Sequence, residues 1–219
     1  MLTLSNVCYQ YQTKAQIVEA LRGVSASFEP GQFYAIVGPS GSGKTTLLSL
    51  LAGLDVPCSG EICWNGESTA AMDLDRFRFA HVSVIYQNFN LFAHLTALEN
   101  AAYPLYLRGI PKKEAEAQAA DKLKQVGIAE DKFHRLPSHL SGGEQQRVAI
   151  ARALASDNEL ILADEPTGNL DSENGMRIVE LLSELAHREN RCVIVVTHDP
   201  SVARQCDRVT EMRDGQPVT

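Results

Sequence analysis

The sequence predicts an α/β fold built around a parallel sheet, and two observations carry this prediction. Apolar runs bounded by polar or turn residues suit strands that are buried on both faces of such a sheet, and they cover residues 33–37, 82–86, 160–163 and 192–196. Helical patterns lie between these runs, at residues 44–51 and at residues 172–187, where Met176, Val179, Leu182 and Ala186 recur at helical spacing. Alternating strands and helices are typical of α/β proteins.

The amino-terminal segment predicts a small antiparallel sheet beside this core. Short alternating apolar runs begin at Leu2 and at Val24, and the second is closed by the turn sequence Glu29-Pro30-Gly31. A further strand at residues 62–64 enters a hairpin at Asn65-Gly66.

The middle of the chain predicts a helical insertion. Pro111 can start a helix, and residues 112–124 are rich in Lys, Glu, Ala and Gln, which are good helix formers. We therefore expect one domain over residues 1–219, in which residues 88–157 form a helical part. Residues 1–87 and 158–219 then form the α/β core together with the antiparallel sheet.

Composition limits the class of protein. The 219 residues are 44% hydrophobic and 21% charged, which are ordinary globular values. The net charge of −7 gives no general attraction to nucleic acid, so no nucleic-acid partner is expected. No apolar run approaches the roughly 18 residues that cross a bilayer, and the first residues lack the features of a secretion signal. We expect a cytoplasmic protein whose five scattered cysteines are reduced.

A phosphate-binding loop follows the first buried strand. Residues 38–45 match G-x-x-x-x-G-K-[ST] and read Gly38-Pro39-Ser40-Gly41-Ser42-Gly43-Lys44-Thr45. Backbone N–H groups and the helix that follows converge on phosphate in such a loop, whereas a glycine-rich turn without a ligand is the alternative. Lys44 is expected to neutralise β- and γ-phosphate oxygens, Thr45 to ligate Mg²⁺, and Thr46 to add a hydroxyl contact.

The buried strand at residues 160–163 ends in two carboxylates. Ligands of α/β sheets bind at the carboxyl ends of the strands. Asp164 is therefore expected to hold Mg²⁺, through water, and Glu165 to orient and activate an attacking water. A solvated pair of acids is the alternative, and the phosphate loop favours the catalytic interpretation.

A second anion site is predicted at residues 140–147, which read Leu-Ser-Gly-Gly-Glu-Gln-Gln-Arg. Ser141 and Glu144 fit a capping box at the start of a helix. This helix start also carries Gly142 and Gly143, so it exposes N–H groups that can receive an anion. Because the phosphate loop already holds one nucleotide, the second site most naturally serves the nucleotide of a facing subunit.

These segments together resemble the ATP-binding cassette (ABC) family over essentially the whole chain. The resemblance implies that Ser141, Gly142 and Gly143 bind the γ-phosphate of ATP held by a second copy. It also implies that Gln87 touches Mg²⁺ and the attacking water and senses the transporter. Asp171 then lies on the loop that crosses the dimer interface, and His198 contacts the γ-phosphate.

Tyr11 resembles the aromatic residue that stacks on adenine in this family. Tyr9 is the alternative, and a purely structural tyrosine of the sheet is another. The spacing from Tyr11 to the phosphate loop favours Tyr11.

Residues 87–105 and 163–171 are similar to the lipoprotein-release and macrolide-export group of the family. This similarity implies an ATPase that dimerises head to tail around two ATP molecules and drives separate membrane permease subunits at the cytoplasmic face of the membrane. It places the permease contact in residues 89–107, where core packing is the alternative. A soluble ABC ATPase acting on DNA or ribosomes normally has a long coiled-coil insertion or duplicated cassettes, and a small-molecule kinase leaves residues 140–147 and His198 unexplained.

Overall fold

The computed structural model describes residues 1–12 and 16–218. The strands are β1 (Leu2–Gln12), β2 (Ile17–Phe28), β3 (Phe33–Val37), β4 (Ser59–Trp64), β5 (Glu67–Ser68), β6 (Val82–Ile85), β7 (Leu160–Asp164), β8 (Cys192–Val196), β9 (Arg208–Arg213) and β10 (Gln216–Val218). The α-helices are α1 (Lys44–Leu51), α2 (Leu74–His81), α3 (Ala97–Leu107), α4 (Lys112–Gln125), α5 (Gly142–Ala155), α6 (Ser172–Glu189) and α7 (Pro200–Ala203). Short 3₁₀ helices cover Thr69–Ala71, Glu130–Lys132 and Pro137–His139.

The main sheet has six strands in the order β10-β9-β3-β8-β7-β6. All neighbouring pairs are parallel except β9 with β10. The four apolar runs of the sequence form β3, β6, β7 and β8, so the predicted α/β fold with a parallel sheet is confirmed. Because these strands are parallel, their carboxyl ends lie at one edge of the sheet.

The second sheet is antiparallel, with the order β2-β1-β4-β5, as predicted. Asn65 and Gly66 join β4 to β5 with positive φ angles of 50° and 87°, which is the backbone of a type I′ hairpin. β1 and β2 extend well beyond their buried residues. Tyr11 pairs with Val18 there, so strand pairing rather than burial defines the outer part of this hairpin.

Two hydrophobic cores lie on opposite faces of the main sheet. Alternating residues of β3 divide between them, since Phe33 and Ala35 belong to one core and Tyr34 and Ile36 to the other. The first core includes residues of α3, α4, α5 and α6, and the second includes α1 and the antiparallel sheet. Buried side chains therefore pack against both faces of the sheet, and this packing fixes the edge at which the carboxyl ends of the parallel strands lie.

Helices α3 to α5 lie between β6 and β7 in the chain. The sequence prediction missed α3, which contains Pro104, but a capping box of Thr96 and Glu99 marks its start. It also missed α2, β9 and β10, and it placed the end of β6 one residue too late, at Tyr86. The boundaries of the helical part at residues 88 and 157 stay a prediction. Across residues 1–12 and 16–218, the structure contains no helix with the length and apolar character of a membrane span.

Candidate functional site

A cavity of about 530 Å³ lies at the carboxyl edge of the main sheet. Loops that follow β3, β6, β7 and β8 meet there with the end of the β1–β2 hairpin. Of the residues that the sequence predicts for the site, the cavity is lined by Tyr11, Gly38, Ser40, Gly41, Gly43, Lys44, Thr45, Thr46, Gln87, Asp164, Glu165 and His198. Pro39, Ser42, Ser141, Gly142, Gly143 and Asp171 do not line it.

Glycines shape the phosphate-binding loop. Gly38 has a φ of 150°, and a Cβ added there would lie 2.2 Å from the carbonyl oxygen of Met212. Gly43 has a φ of 97° and caps α1 without a side-chain hydrogen bond. The first N–H groups of α1 are therefore not covered by a capping side chain at Gly43, and they can receive an anion.

Lys44 is the first residue of α1 and folds back over the loop. Its Nζ donates to the carbonyl oxygens of Gly38 at 2.9 Å and of Pro39 at 2.8 Å. Ser42 is only 2% exposed, and its carbonyl oxygen accepts a hydrogen bond from the Gly215 amide at 3.1 Å. Ser42 thus connects the loop to the turn between β9 and β10, whereas Lys44 lines the cavity.

Thr45 and Asp164 place oxygen atoms side by side. The Thr45 hydroxyl donates to Asp164 Oδ2 at 3.2 Å. Burial raises the pKa of Asp164, and the neighbouring Glu165 adds to this effect, while the hydrogen bond from Thr45 opposes it. A hydroxyl and a half-buried carboxylate are oxygen donors of the kind that Mg²⁺ prefers, so these residues fit the predicted metal site. Gln87 follows β6, lies exposed and adds a carboxamide to the same cavity.

Glu165 connects the ends of β7 and β8. It has left-handed backbone, with a φ of 47°, and its amide donates to the carbonyl oxygen of Val196 at 2.9 Å. Its Oε1 lies 2.6 Å from Nδ1 of His198. The Glu165 side chain is 12% exposed whereas that of His198 is 76% exposed, so a largely buried carboxylate is hydrogen-bonded to an exposed imidazole. The hydrogen bond to Glu165, together with its charge, raises the pKa of His198.

The hairpin of β1 and β2 forms the far wall of the cavity. Tyr11 is 46% exposed there, and its hydroxyl lies 3.0 Å from Oγ1 of Thr46. Tyr9 lies outside this cavity and its hydroxyl donates to Asp55, a bond that raises the pKa of Tyr9 to about 12. The structure therefore places Tyr11, and not Tyr9, at the site, while its stacking on adenine stays a prediction.

The part of this wall that β2 contributes was not predicted from the sequence. It consists of three residues of β2, namely Val18, Glu19 and Ala20. Val18 is the direct cross-strand partner of Tyr11, so the register of the hairpin places an apolar side chain beside the aromatic ring. Ile17 and Val18 are adjacent β-branched residues just before an alternating run, and this was the available signal.

The remaining predicted residues form a second group at the start of α5. Ser141 and Glu144 make the predicted capping box, with Ser141 Oγ accepting from the Glu144 amide at 3.3 Å. A salt bridge from Lys132 lowers the pKa of Glu144 to about 2, and the capping bonds with Ser141 contribute. Ser141 and Gly142 are exposed.

This second group contacts the loop before α6. A Cβ on Gly143 would lie 3.2 Å from the carbonyl oxygen of Asn169. Asp171 caps α6 by accepting from the Asn174 amide at 3.0 Å. Apart from Pro39 and Ser42 of the phosphate loop, the predicted residues therefore divide into a cavity group and a separate, largely exposed group.

Comparison with known proteins agrees with this geometry. The sequence pattern of the ABC transporter family matches residues 21–168. The ABC transporter ATP-binding protein YclH of Bacillus subtilis is 44% identical over 207 residues, which cover 94% of this chain and 91% of YclH. The macrolide export ATP-binding/permease protein MacB of Bradyrhizobium diazoefficiens is 45% identical over 222 residues, and the chain spans about a third (34%) of that protein.

Solved structures of the ABC transporter cassette MJ0796 superpose with a TM-score of 0.96 at 40% identity, covering 100% of this chain and 97% of MJ0796. One is a dimer and another is a dimeric post-hydrolysis state bound to ADP and Pi. The chain therefore belongs to the ABC transporter family of ATP-binding cassettes.

Proposed function

We propose that the chain is the ATP-hydrolysing subunit of a transporter. Two copies pair head to tail around two ATP molecules with Mg²⁺, and they drive separate permease subunits from the cytoplasmic face of the membrane. The family membership, the ADP and Pi bound by MJ0796 and the fusion of a similar cassette to a permease in MacB support this proposal.

The observation that carries the proposal is that the two predicted anion sites lie at different places on one chain. The phosphate loop lines the cavity, whereas the exposed start of α5 with Ser141 and Gly142 does not. In a two-fold symmetric pair, a contact of one surface with a different surface of the other copy is made twice, once in each direction. Such a pair closes each cavity with the α5 start of the other copy, and it brings Asp171 to the interface.

Within the cavity, each side chain has a distinct part in binding. Lys44 and the first amides of α1 hold the β- and γ-phosphates, because they supply a charge and free N–H groups. Tyr11 stacks on the adenine. Thr45, Asp164 and Gln87 hold Mg²⁺, which neutralises phosphate charge when it is bound.

Hydrolysis requires a group that accepts the proton of the attacking water. Glu165 is the base, since its carboxylate lies at the cavity and its backbone is fixed by the bond to Val196. His198 holds the carboxylate through the 2.6 Å contact and reaches the γ-phosphate with its exposed ring.

A permease docks on the groove beside β6. The groove includes two adjoining cavities of about 300 Å³ each. Its exposed apolar side chains are Phe79, Phe92 and Leu107, at 47%, 43% and 58% exposure. Phe92 lies five residues after Gln87, so this surface is close in the chain to the ATP cavity.

Glu165→Gln tests the pairing, because the amide keeps the size of the carboxylate but cannot act as a base. We expect a dimer in light scattering with Mg-ATP, and a monomer without nucleotide. Gly142→Asp in the same background is the matched control, since a Cβ at Gly142 meets nothing within 4 Å and its carboxylate repels the facing phosphate.

The double variant should stay monomeric while it binds ATP with an affinity within about twofold of the single variant. If both variants are monomers with Mg-ATP, the pairing is refuted. If both are dimers, the start of α5 is not at the interface.

A further inference from the structure

Arg152, on the last turns of α5, holds the loop that follows Gln87. Its Nη1 donates to the carbonyl oxygen of Asn90 at 2.7 Å, and its Nη2 donates to that of Phe89 at 2.9 Å. The guanidinium is half-buried, and burial lowers the pKa of Arg152. A planar guanidinium that bonds two successive carbonyls fixes both the position and the direction of the loop.

The loop needs such a contact because its backbone is strained. Phe89 and Asn90 are consecutive left-handed residues, with φ angles of 50° and 48°. Asn tolerates this conformation, whereas Phe adopts it at a cost. Strained backbone persists where surrounding contacts hold it, and both bonds of Arg152 fall on these two residues.

The chain is hydrogen-bonded to α5 both before and after Gln87. Before Gln87, the Ser83 hydroxyl of β6 donates to the carbonyl oxygen of Ala153 at 2.9 Å in a buried hydrogen bond. After it, Arg152 holds Phe89. Two neighbouring residues of α5 thus fix the chain on either side of a residue that lines the ATP cavity.

The same arginine contacts the exposed groove. The guanidinium lies 5.8 Å from the centre of the Phe92 ring, and that ring lies 4.5 Å from the ring of Tyr103. Phe92 is also fixed by Asn100, which accepts from its amide at 2.8 Å and donates to its carbonyl oxygen at 3.1 Å. Phe92 therefore contacts both Arg152 and two residues of α3.

We propose that Arg152 is the positioning residue that couples the groove around Phe92 to Gln87 and to α5, whose other end is the predicted site for the ATP of the second copy. A permease that moves Phe92 then moves the arginine, and the arginine moves the loop and the helix together. This inference rests on the proposed function, because it takes the groove as the permease contact.

Arg152→Met tests the coupling, since Met keeps an unbranched apolar stem and removes the guanidinium, with both hydrogen bonds and the contact with Phe92. In the isolated chain, amide hydrogen exchange at residues 88–92 should become about tenfold faster, while exchange at residues 33–46 is unchanged. ATP affinity and the basal ATPase rate should stay within about twofold. In proteoliposomes that contain a permease subunit, the stimulation of the ATPase by that subunit should fall about fivefold or more.

Arg152→Lys is the conservative variant. Its ammonium can still donate to one carbonyl, so exchange and stimulation should lie between wild type and Arg152→Met. Arg188→Met is the matched control, because Arg188 is 77% exposed in an ion pair on α6, and it should behave as wild type.

Unchanged exchange or unchanged stimulation in Arg152→Met overturns the inference. Equal loss of stability, ATP affinity and basal activity in both Arg152 variants also overturns it, because that pattern indicates only a structural role. If the wild-type chain itself is not stimulated, the permease proposal fails instead, and the exchange measurement still decides whether Arg152 holds the loop.

Discussion

Removal of the Lys44 ammonium tests whether the phosphate loop binds ATP as the structure indicates. Lys44 begins α1, and Ala is a good helix former, so Lys44→Ala should leave the helix intact. The two carbonyl oxygens that accept from Nζ belong to Gly38 and Pro39, and Pro39 lies at the exposed surface. Water can replace the lost donor there, so we expect a change in unfolding free energy below about 1 kcal/mol.

The effect on binding should be much larger than the effect on stability. A charge-assisted hydrogen bond to phosphate contributes about 1.5–3 kcal/mol. The affinity for ATP should therefore fall about ten- to hundredfold. Lys44 is the one Lys or Arg among the described residues that line the cavity, so no second lysine or arginine among them replaces its charge.

Isothermal titration with Mg-ATP at fixed ionic strength measures this loss. Lys112→Ala is the control, because its side chain is 72% exposed and forms a 3.6 Å ion pair with Glu116 on α4, away from the cavity. An unchanged dissociation constant for Lys44→Ala, or an equal loss in the control, would refute the assignment of Lys44 to the phosphate site.

Two further predictions concern titration and stability. Glu165 raises the pKa of His198, so the pair stabilises the folded chain at low pH, and this contribution is lost as the pH rises through the raised pKa. Glu165→Gln should therefore return the pKa of His198, measured by NMR titration, toward its ordinary value. An unchanged pKa would contradict the pairing. Asn100 is fully buried and makes four hydrogen bonds with backbone atoms of residues 92, 95 and 96, so Asn100→Ala should lower the free energy of unfolding by about 2–4 kcal/mol. Urea unfolding followed by the fluorescence of Trp64, the one tryptophan, measures this, with the exposed Gln118→Ala as the control expected to change by less than about 0.5 kcal/mol.

The sequence predicted the centre of the site because its residues follow buried strands. An apolar run such as residues 160–163 favours an inner strand, and parallel inner strands end at one edge. The convergence of Lys44 and Asp164 therefore followed from the pattern, whereas His198 was expected there only from the resemblance to the family. The roles predicted for Lys44, Asp164 and Glu165 followed from their residue types, whereas those of Gln87 and His198 followed from the resemblance.

The missed elements have weak local signals because their contacts are distant in sequence. β9 reads Arg-Val-Thr-Glu-Met-Arg and is largely exposed, yet it is a strand because it pairs with β3 more than 170 residues earlier. The position of Val18 in the cavity wall depends on the register of the β1–β2 hairpin, which a single sequence does not specify. Such elements are defined by pairing, and pairing was not predicted for them.

Strained backbone occurs both at the cavity and in the loop that Arg152 holds. Among the described residues, eight non-glycine residues have positive φ; six of them are Asn or Asp, and the other two are Phe89 and Glu165. Asn and Asp enter this region readily, whereas other residues do so at a cost of about 1–2 kcal/mol. Glu165 is held by the bond to Val196, and Phe89 is held by the bond to Arg152. The two costly conformations therefore occur at a residue that lines the cavity and at a residue of the loop that Arg152 holds.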